Sequence, residues 1–356
     1  MKVFLVTEFL PPQVNGIAVR MSNHIRELRA QKHTLTVFGP RSCVAPGDVW
    51  LCGVQNPFNS DSEIFAPFPP VHLIYRMILD RPDVVHLVCP GIPYAPLIMF
   101  LAKVVLRIRV VCSYHCDVDF YASSYITNPM LYWAAFAYLY TVHYAPQFLL
   151  ADHIIAPHDD TVFKKYFGGF KTRPIKTGVS LDLFTPKLQP RQNKRLLYVG
   201  RFAAEKNILH MLDLFRKHNT GYSITLIGKG PQKEIIEAYV REHGLGQVLD
   251  HVPHHELAGV YQAHAVTITS SLSETYGFTL LESLACGTPV VYPDCGVFRA
   301  LYHEPFPECC YDVDDPEQFW RAVRCAEAVA PERCVEYAQR HTHHESTRHI
   351  VENYYT

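Results

Sequence analysis

The sequence predicts an α/β protein of two doubly wound domains that face each other across a cleft. In both halves, short runs rich in Val, Ile and Leu alternate with amphipathic segments, as buried parallel strands and crossover helices do. The chain has 356 residues, enough for two domains with separate cores. A polar segment at residues 186–193 contains two prolines, lacks periodicity and is typical of a linker.

Composition restricts the classes of partner. Hydrophobic residues make up 48% of the chain and charged residues 19%, which is typical of a globular protein. The net charge of −1 gives no basic field to attract nucleic acid, so we expect no nucleic-acid partner. The first predicted strand begins at residue 2 and leaves no room for a targeting sequence, so we expect a cytoplasmic protein.

The cysteines and histidines do not follow metal-site patterns. The 11 cysteines are scattered without a C-x-x-C pair, which favours reduced thiols over a disulfide framework. None of the 20 histidines occurs in an H-E-x-x-H motif or a similar spacing. We therefore expect no metal, and interpret the clustered histidines as solvated surface residues. These are His254, His255, His341, His343 and His344.

The first half opens with the strand K-V-F-L-V-T-E-F, a proline-rich loop and a helix over residues 18–30. Gly16 stands at the helix start, where backbone N–H groups can approach an anion. The later predicted elements are strands at 34–38, 84–88 and 109–113, a helix at 94–105 and a proline-rich loop at 57–70. The string Y-H-C-D, with His115, follows the last of these strands at the rim where ligands bind α/β sheets.

Residues 128–151 contain no charged side chain. Their number approaches the roughly 20 residues that span a bilayer, but His143, Pro146 and several tyrosines argue against spanning. We interpret the segment as a buried helix pair beside the cleft. The alternative places its aromatic residues in a membrane interface, with Lys103, Arg107 and Arg109 attracting anionic head groups. We predict at most peripheral membrane attachment.

The second half begins with the strand R-L-L-Y-V, a turn at Gly200 and a helix from about Lys206. Arg201 and Lys206 leave the end of this strand together. The next strand ends in G-K-G-P, which contains Gly228 and Gly230. No G-x-x-x-x-G-K-[ST] motif occurs, which excludes a P-loop ATPase. Helices are predicted at 315–329, 331–339 and 344–354, the last crossing back to the first domain.

The most informative stretch is S-S-L-S-E-T-Y-G-F-T-L-L-E-S-L-A-C-G-T-P, residues 270–289. It follows a predicted buried strand and enters a helix at 278–286. A helix that opens after a parallel strand directs free N–H groups to the edge where diphosphates bind. Gly277 lets backbone approach a ligand closely. Glu274 stands in the turn, and Glu282 about one turn into the helix.

This stretch closely resembles the glutamate–seven–glutamate signature of family 4 glycosyltransferases, which are retaining enzymes of the GT-B fold. Other strings resemble the same family: L-P-P-Q-V-N-G, S-Y-H-C-D, A-D-H-I-I-A-P-H, T-G-V-S-L-D-L-F-T-P, G-R-F-A-A-E-K-N and G-K-G-P. Asn15 replaces the first of the family's two loop glycines, and Asn tolerates a positive φ. The S-Y-H-C-D string is closest to sulfoquinovosyl- and mannosyl-transferring members that glycosylate lipids.

The resemblance implies a role for each matching residue. Glu282 would hold the ribose hydroxyls, and Arg201 and Lys206 the charge of the leaving diphosphate. Glu274 and the following backbone N–H groups would hold the sugar and phosphates. His115 would lie near the transferred sugar. The remaining implied contacts are Asn15 and Gly16 at the diphosphate, Gly228 and Gly230 beside the base, and Tyr276, Gly277, Phe278 and Thr279 as backbone donors.

The resemblance also implies a domain plan and a reaction. Residues 1–186, with a returning helix at 341–356, would form the acceptor-side Rossmann-like domain, and residues 187–340 the nucleotide-sugar domain. The expected reaction moves a sugar from a UDP- or GDP-sugar to a lipid or glycan acceptor, with retention and without a metal cofactor. The alternatives are a nucleotide-sugar epimerase, a glycogen- or starch-type synthase, and a nucleotide-sugar-binding protein without turnover.

Overall fold

The computed structural model contains two compact units. It describes residues 1–11, 13, 16–41, 48–55, 63–66, 70–89, 92–114, 128–156, 172–174, 178–187, 194–217, 221–272, 274 and 276–356. Residues 1–176 and 343–356 form the first unit, and residues 177–342 the second. The sequence placed the boundary after residue 186, whereas residues 178–187 contact the second unit. For example, Val179 N–H donates to the His341 carbonyl, and Lys187 N–H to that of Cys286.

The described residues of the first unit include a parallel sheet of seven strands in the order β3-β2-β1-β6-β7-β8-β9. Its strands are β1 Lys2–Val6, β2 Thr34–Pro40, β3 Val49–Leu51, β6 Val84–Cys89, β7 Arg109–Tyr114, β8 His153–Ala156 and β9 Thr172–Pro174. β4 Gly53–Gln55 and β5 Glu63–Phe65 form a separate antiparallel pair. The predicted loop at 57–70 therefore includes a short strand.

Helices cover both faces of this sheet. Among the described residues they are α1 Gly16–Ala30, α2 Val71–Asp80, α3 Ala95–Phe100 with the π-helical Leu101–Val105, α4 Pro129–Tyr138 with the π-helical Leu139–Tyr144, α5 Ala145–Leu150, and α13 His343–Ile350 with the π-helical Val351–Tyr355. Alternate strand residues point to opposite faces. Leu5 packs with α1, whereas its neighbours Phe4 and Val6 share a core with α2 and α3.

The second unit contains a parallel sheet of six strands in the order β12-β11-β10-β13-β14-β15. The strands are β10 Arg195–Val199, β11 Ser223–Ile227, β12 Gly246–Leu249, β13 Val266–Ile268, β14 Val290–Pro293 and β15 Cys310–Tyr311. The helices are α6 Ile208–Arg216, α7 Lys233–Glu242, α8 Leu257–Gln262, α9 Phe278–Ala285, α10 Gly296–Tyr302, α11 Pro316–Glu327 and α12 Pro331–Gln339. The predicted α/β class, with two parallel sheets, is confirmed.

The apolar segment at residues 128–151 is helical, but its first part is not buried. Asn128 caps α4 by accepting from the N–H groups of Met130 and Leu131. No residue of α4 is buried, and Trp133 is 64% exposed. The prediction of a buried helix pair is therefore wrong for α4, because an uncharged run carries no signal for which of its faces packs. Among the described residues, no helix is long and apolar enough to cross a membrane.

The clustered histidines match the prediction of solvated residues only in part. His255 and His344 are exposed, at 72% and 58%. By contrast, His343 is buried, His341 Nδ1 donates to the Tyr337 carbonyl at 2.8 Å, and His254 contacts a carboxylate. In the part of the chain that the structure describes, no three His, Cys, Asp or Glu side chains are grouped as metal ligands. The cysteines whose side chains are described are free thiols.

Candidate active site

The start of α9 is fixed beside the carboxyl end of β13. Gly277 precedes the helix with a φ of 59°, in the left-handed region that favours glycine. A Cβ at this position would lie 2.9 Å from Phe298 Cε1. The Tyr302 hydroxyl donates to the Gly277 carbonyl at 3.2 Å. A helix leaves its first N–H groups without intrahelical partners, and here these belong to Phe278 and Thr279. The turn is therefore suited to an anion.

Lys206 and Glu274 are brought together at the carboxyl ends of adjacent strands. Lys206 Nζ donates to Glu274 Oε1 at 2.5 Å, and both side chains are mostly buried, with exposures of 16% and 23%. A hydrogen bond joins the two loops: Ser270 Oγ donates to the Lys206 carbonyl at 2.7 Å. An ammonium group has three donors, so a lysine that holds one carboxylate oxygen keeps donors for a phosphate. The pair thus places a cation and an anion beside the start of α9.

Arg201 belongs to the same loop as Lys206 but makes a different contact. Its Nη1 lies 4.0 Å from Glu205 Oε1, and its side chain is 57% exposed. The Tyr198 hydroxyl donates to the Arg201 carbonyl at 3.3 Å. Burial, together with the Glu274 and Glu205 carboxylates, raises the pKa of Tyr198, which keeps the hydroxyl protonated. The backbone at Arg201 is therefore held from the core, while its guanidinium faces solvent.

The two glycines of G-K-G-P allow a neighbouring loop to approach. A Cβ on Gly228 would lie 1.9 Å from the Gly200 carbonyl oxygen, and one on Gly230 would lie 2.2 Å from that of Phe202. Phe202 N–H also donates to the Lys229 carbonyl at 2.8 Å. These glycines therefore pack against the loop that carries Arg201. Their predicted place beside the nucleotide base stays a prediction.

Both oxygens of Glu282 have partners inside the second unit. His254 Nε2 lies 2.9 Å from Oε1, and the Tyr261 hydroxyl donates to Oε2 at 2.9 Å. The Phe184 ring meets both partner rings edge-on, with centroids 5.2 Å from His254 and 6.0 Å from Tyr261. The hydrogen bond to the carboxylate raises the pKa of His254. Glu282 is therefore held in a fixed orientation, with the half-exposed His254 beside it.

Comparison with known families decides the class of protein. The family model for "Glycosyltransferase Family 4" matches residues 14–201, and that for "Glycosyl transferases group 1" matches residues 182–341. The first match alone covers more than half of the chain. The chain belongs to glycosyltransferase family 4.

Similar proteins in other organisms are glycosyltransferases as well. A GDP-mannose-dependent alpha-mannosyltransferase of Mycobacterium tuberculosis is 27% identical over 84% of this chain and 81% of its own length. The sulfoquinovosyl transferase SQD2 of Arabidopsis thaliana is 27% identical over 80% of this chain and 57% of its own length. The alpha-monoglucosyldiacylglycerol synthase of Streptococcus pneumoniae is 25% identical, over 82% and 70% respectively.

Solved structures show the fold of this glycosyltransferase. The sucrose-phosphate synthase of Thermosynechococcus elongatus matches with a TM-score of 0.71 at 17% identity, covering 99% of this chain and 98% of that one. The lipopolysaccharide outer core galactosyltransferase WaaB matches with a TM-score of 0.69 at 15% identity, covering 98% of each chain. Together with the two parallel sheets, these matches confirm the predicted GT-B fold.

The remaining predicted site residues of this glycosyltransferase are distributed between the two units. Tyr276 is buried, and its ring centroid lies 5.3 Å from that of Phe278. Gly16 is the first residue of α1 and is exposed. Asn15 and His115 lie outside the described residues. The structure therefore brings together Lys206, Glu274 and the start of α9, and the roles of all the predicted site residues stay predictions.

Sequence reasoning missed the partners of Glu282. Tyr261 and His254 are a short distance apart in the chain, but each reaches Glu282 only through the packing of α8 on α9. The string V-P-H-H-E-L identifies neither histidine as a carboxylate partner. His255, the next residue, is instead highly exposed, at 72%.

Proposed function

We propose that this glycosyltransferase transfers a sugar from a UDP- or GDP-sugar to a lipid or glycan acceptor, retaining the anomeric configuration and requiring no metal ion. The observation that carries the proposal is the contact between Lys206 and Glu274 next to the start of α9. A cation, a carboxylate and free helix N–H groups at one sheet edge match the needs of a sugar bound through a diphosphate.

In the proposed reaction, the bond between sugar C1 and the donor phosphate oxygen breaks. A bond between C1 and the acceptor oxygen forms on the same face, and the acceptor proton passes to the leaving phosphate. Negative charge grows on that phosphate as the bond breaks. Lys206, Arg201 and the N–H groups of Phe278 and Thr279 stabilise it, and Glu274 binds hydroxyls of the sugar. Glu282, held by His254 and Tyr261, accepts from the ribose hydroxyls.

The names of similar proteins support the choice of substrates. They include a GDP-mannose-dependent enzyme and a synthase of monoglucosyldiacylglycerol. A structure of Anabaena HepE holds UDP-glucose, with a TM-score of 0.68 to this chain. We therefore favour a hexose donor and a diacylglycerol-type acceptor.

The first test identifies the nucleotide and then the reaction. UDP and GDP are compared by thermal shift, because a ligand that binds the folded protein raises the melting temperature by mass action. UDP-glucose and GDP-mannose are then supplied with diacylglycerol, with glycogen, or without acceptor. We expect an α-linked glycolipid by NMR and undiminished turnover with EDTA. Elongation of glycogen would instead favour the glycogen-type synthase, and acceptor-free conversion of the donor or an inverted product would contradict the proposal.

The site itself is tested with Lys206→Ala and Glu274→Ala. Removing one group that stabilises transition-state charge typically lowers kcat by about 10²- to 10³-fold, and we expect that loss for Lys206→Ala. The matched control is Arg340→Ala, which breaks an exposed ion pair with Glu336 in the same unit. All three variants should stay folded by circular dichroism. Near-normal kcat in both Lys206→Ala and Glu274→Ala would show that the site is elsewhere.

A further inference from the structure

Three helical segments of the first unit lie on one face of its sheet. Leu73 of α2 and Ile98 of α3 belong to the same core as Phe4 and Tyr144, and α3 packs against α5. Arg81, just after α2, donates from Nη1 to the Leu106 carbonyl at 3.4 Å, which joins α2 to the end of the π-helical segment after α3. α4 continues into α5 through the π-helical Leu139–Tyr144. These segments therefore form one outer layer.

The outward side of this layer is apolar. Each segment exposes large hydrophobic side chains, among them Tyr75, Leu79, Phe100, Val104, Met130 and Trp133. A helix that covers a sheet normally presents charged and polar residues to water. Several large exposed apolar side chains on neighbouring helices indicate an interaction site in a stable protein.

Helices of the second unit show the ordinary pattern. The exposed residues of α11 are Glu317, Arg321, Arg324 and Glu327. Those of α12 are Glu332, Arg333, Glu336 and Gln339. The exposed surfaces of α11 and α12 are therefore polar and charged, in contrast to the apolar outer layer of the first unit.

Exposed basic side chains outnumber exposed acidic ones around this layer. Among the described residues of α2, α3, α4, α5 and the π-helical segments between them, the exposed charged side chain is Lys103, whose ammonium group also pairs with Asp152. On α2, Arg76 pairs with the partly exposed Asp80. Beyond the ends of α2 and the segment after α3 stand the exposed Arg81, Arg107 and Asp83. Apolar side chains bordered by Lys and Arg, with Trp and Tyr among them, suit the boundary between acyl chains and anionic head groups.

We propose that this outer layer docks the enzyme on the surface of an anionic lipid bilayer. Trp133, Phe100 and Leu79 enter the region between head groups and acyl chains, and Lys103, Arg81 and Arg107 contact lipid phosphates. The binding is peripheral, because the helices lie in the interface rather than crossing it. Docking does not depend on which acceptor is used, although it would bring a lipid acceptor to the enzyme.

The test uses the full chain and two kinds of vesicle, phosphatidylcholine alone and phosphatidylcholine mixed with phosphatidylglycerol. We expect cosedimentation with the mixed vesicles, weakened by salt, and a blue shift of tryptophan fluorescence. Leu79→Glu, Phe100→Glu and Trp133→Glu should each lower vesicle partitioning about tenfold, since each replaces a buried apolar side chain in the bound state. Failure to bind either vesicle would overturn the proposal.

The chain offers a matched control in Ile235→Glu on α7. Ile235 is 55% exposed, close to Leu79 at 59% and Phe100 at 48%, but lies in the second unit. It should leave vesicle binding unchanged, and equal loss in this variant would contradict the proposal. All variants should keep the nucleotide-induced thermal shift, which separates docking from the proposed reaction. Self-association of the wild type that the glutamate substitutions abolish, without vesicle binding, would show that a second copy occupies the layer instead.

Discussion

Two clusters of histidine and tyrosine, one in each unit, have opposite electrostatics. In the first unit, the Tyr355 hydroxyl contacts His86 Nδ1 at 2.6 Å and His24 Nε2 at 3.1 Å. Burial lowers the pKa of His24 well below its ordinary value and that of His86 to about 3. In the second unit, His254 and Tyr261 share Glu282, and the carboxylate raises the pKa of His254.

The opposite pKa shifts follow from the charge of each histidine's partner and from its exposure to water. His24 and His86 are buried, and their described hydrogen-bond partners are neutral: Ser113 Oγ at 2.8 Å from His86 and Thr347 Oγ1 at 3.0 Å from His24. The positive charge of Arg20 lowers both pKa values further. Such histidines stay uncharged and join the C-terminal segment to α1 and β6. His254 is partly exposed and meets a carboxylate, so it is protonated more readily. The first cluster therefore stabilises the fold, whereas the second orients a group of the candidate site.

The largest expected effect is a loss of folding stability at low pH, caused by the buried histidines of the first cluster. The unfolded histidines bind protons below a pKa of about 6.5, while the folded ones stay neutral, so stability is present above that pH and falls below it. Between about pH 7 and pH 5, the neutral folded His86 should cost about 2 kcal/mol of stability, and His24 should add a loss in the same direction. The buried Glu8, whose pKa is raised to about 8, acts in the opposite direction and offsets part of this loss. Chemical denaturation as a function of pH measures this loss.

His86→Gln is the variant that isolates this effect. It removes one group with a lowered pKa, so over the same pH interval its free energy of unfolding should fall by about 2 kcal/mol less than that of the wild type, whatever its value at neutral pH. His255→Gln, at an exposed position, should keep the wild-type slope. An unchanged slope in His86→Gln would mean that acid acts through other groups, and the contrast between the clusters would fail.

Glu282→Gln should have the next largest effect, and on binding rather than folding. A hydrogen bond to a charged group is worth about 1.5–3 kcal/mol, so loss of the charge should weaken UDP or GDP binding about 10- to 100-fold. The amide still offers an acceptor to Tyr261, which limits the loss of stability. Calorimetric titration of the nucleotide measures the change, with the exposed Glu336→Gln as control. Tight binding by Glu282→Gln would remove Glu282 from the ribose site.

Local pattern in the sequence predicted the elements that define both clusters but not the clusters themselves. β6, β13 and α9 follow from apolar runs and turn residues, and Lys206 and Glu274 from their positions after strands β10 and β13. The contacts of Tyr355 with His24 and His86 join residues hundreds of positions apart. Helical periodicity does not encode such partners. The prediction that α4 is buried was wrong for a related reason, since apolar composition alone does not distinguish a core helix from an exposed one.

The smallest expected effect is the pKa shift of His254, and it measures the contrast between the two clusters most directly. Its folded pKa is raised, so its interaction with Glu282 is fully present below the unfolded pKa and is lost as pH rises through the folded value. NMR titration should place its midpoint above that of a free histidine, while His86 stays neutral over the same range. In Glu282→Gln the raised midpoint should fall back, because no carboxylate remains. His254→Gln identifies the resonance. A midpoint that is unchanged in Glu282→Gln would assign the shift to another group and leave His254 as an ordinary surface residue.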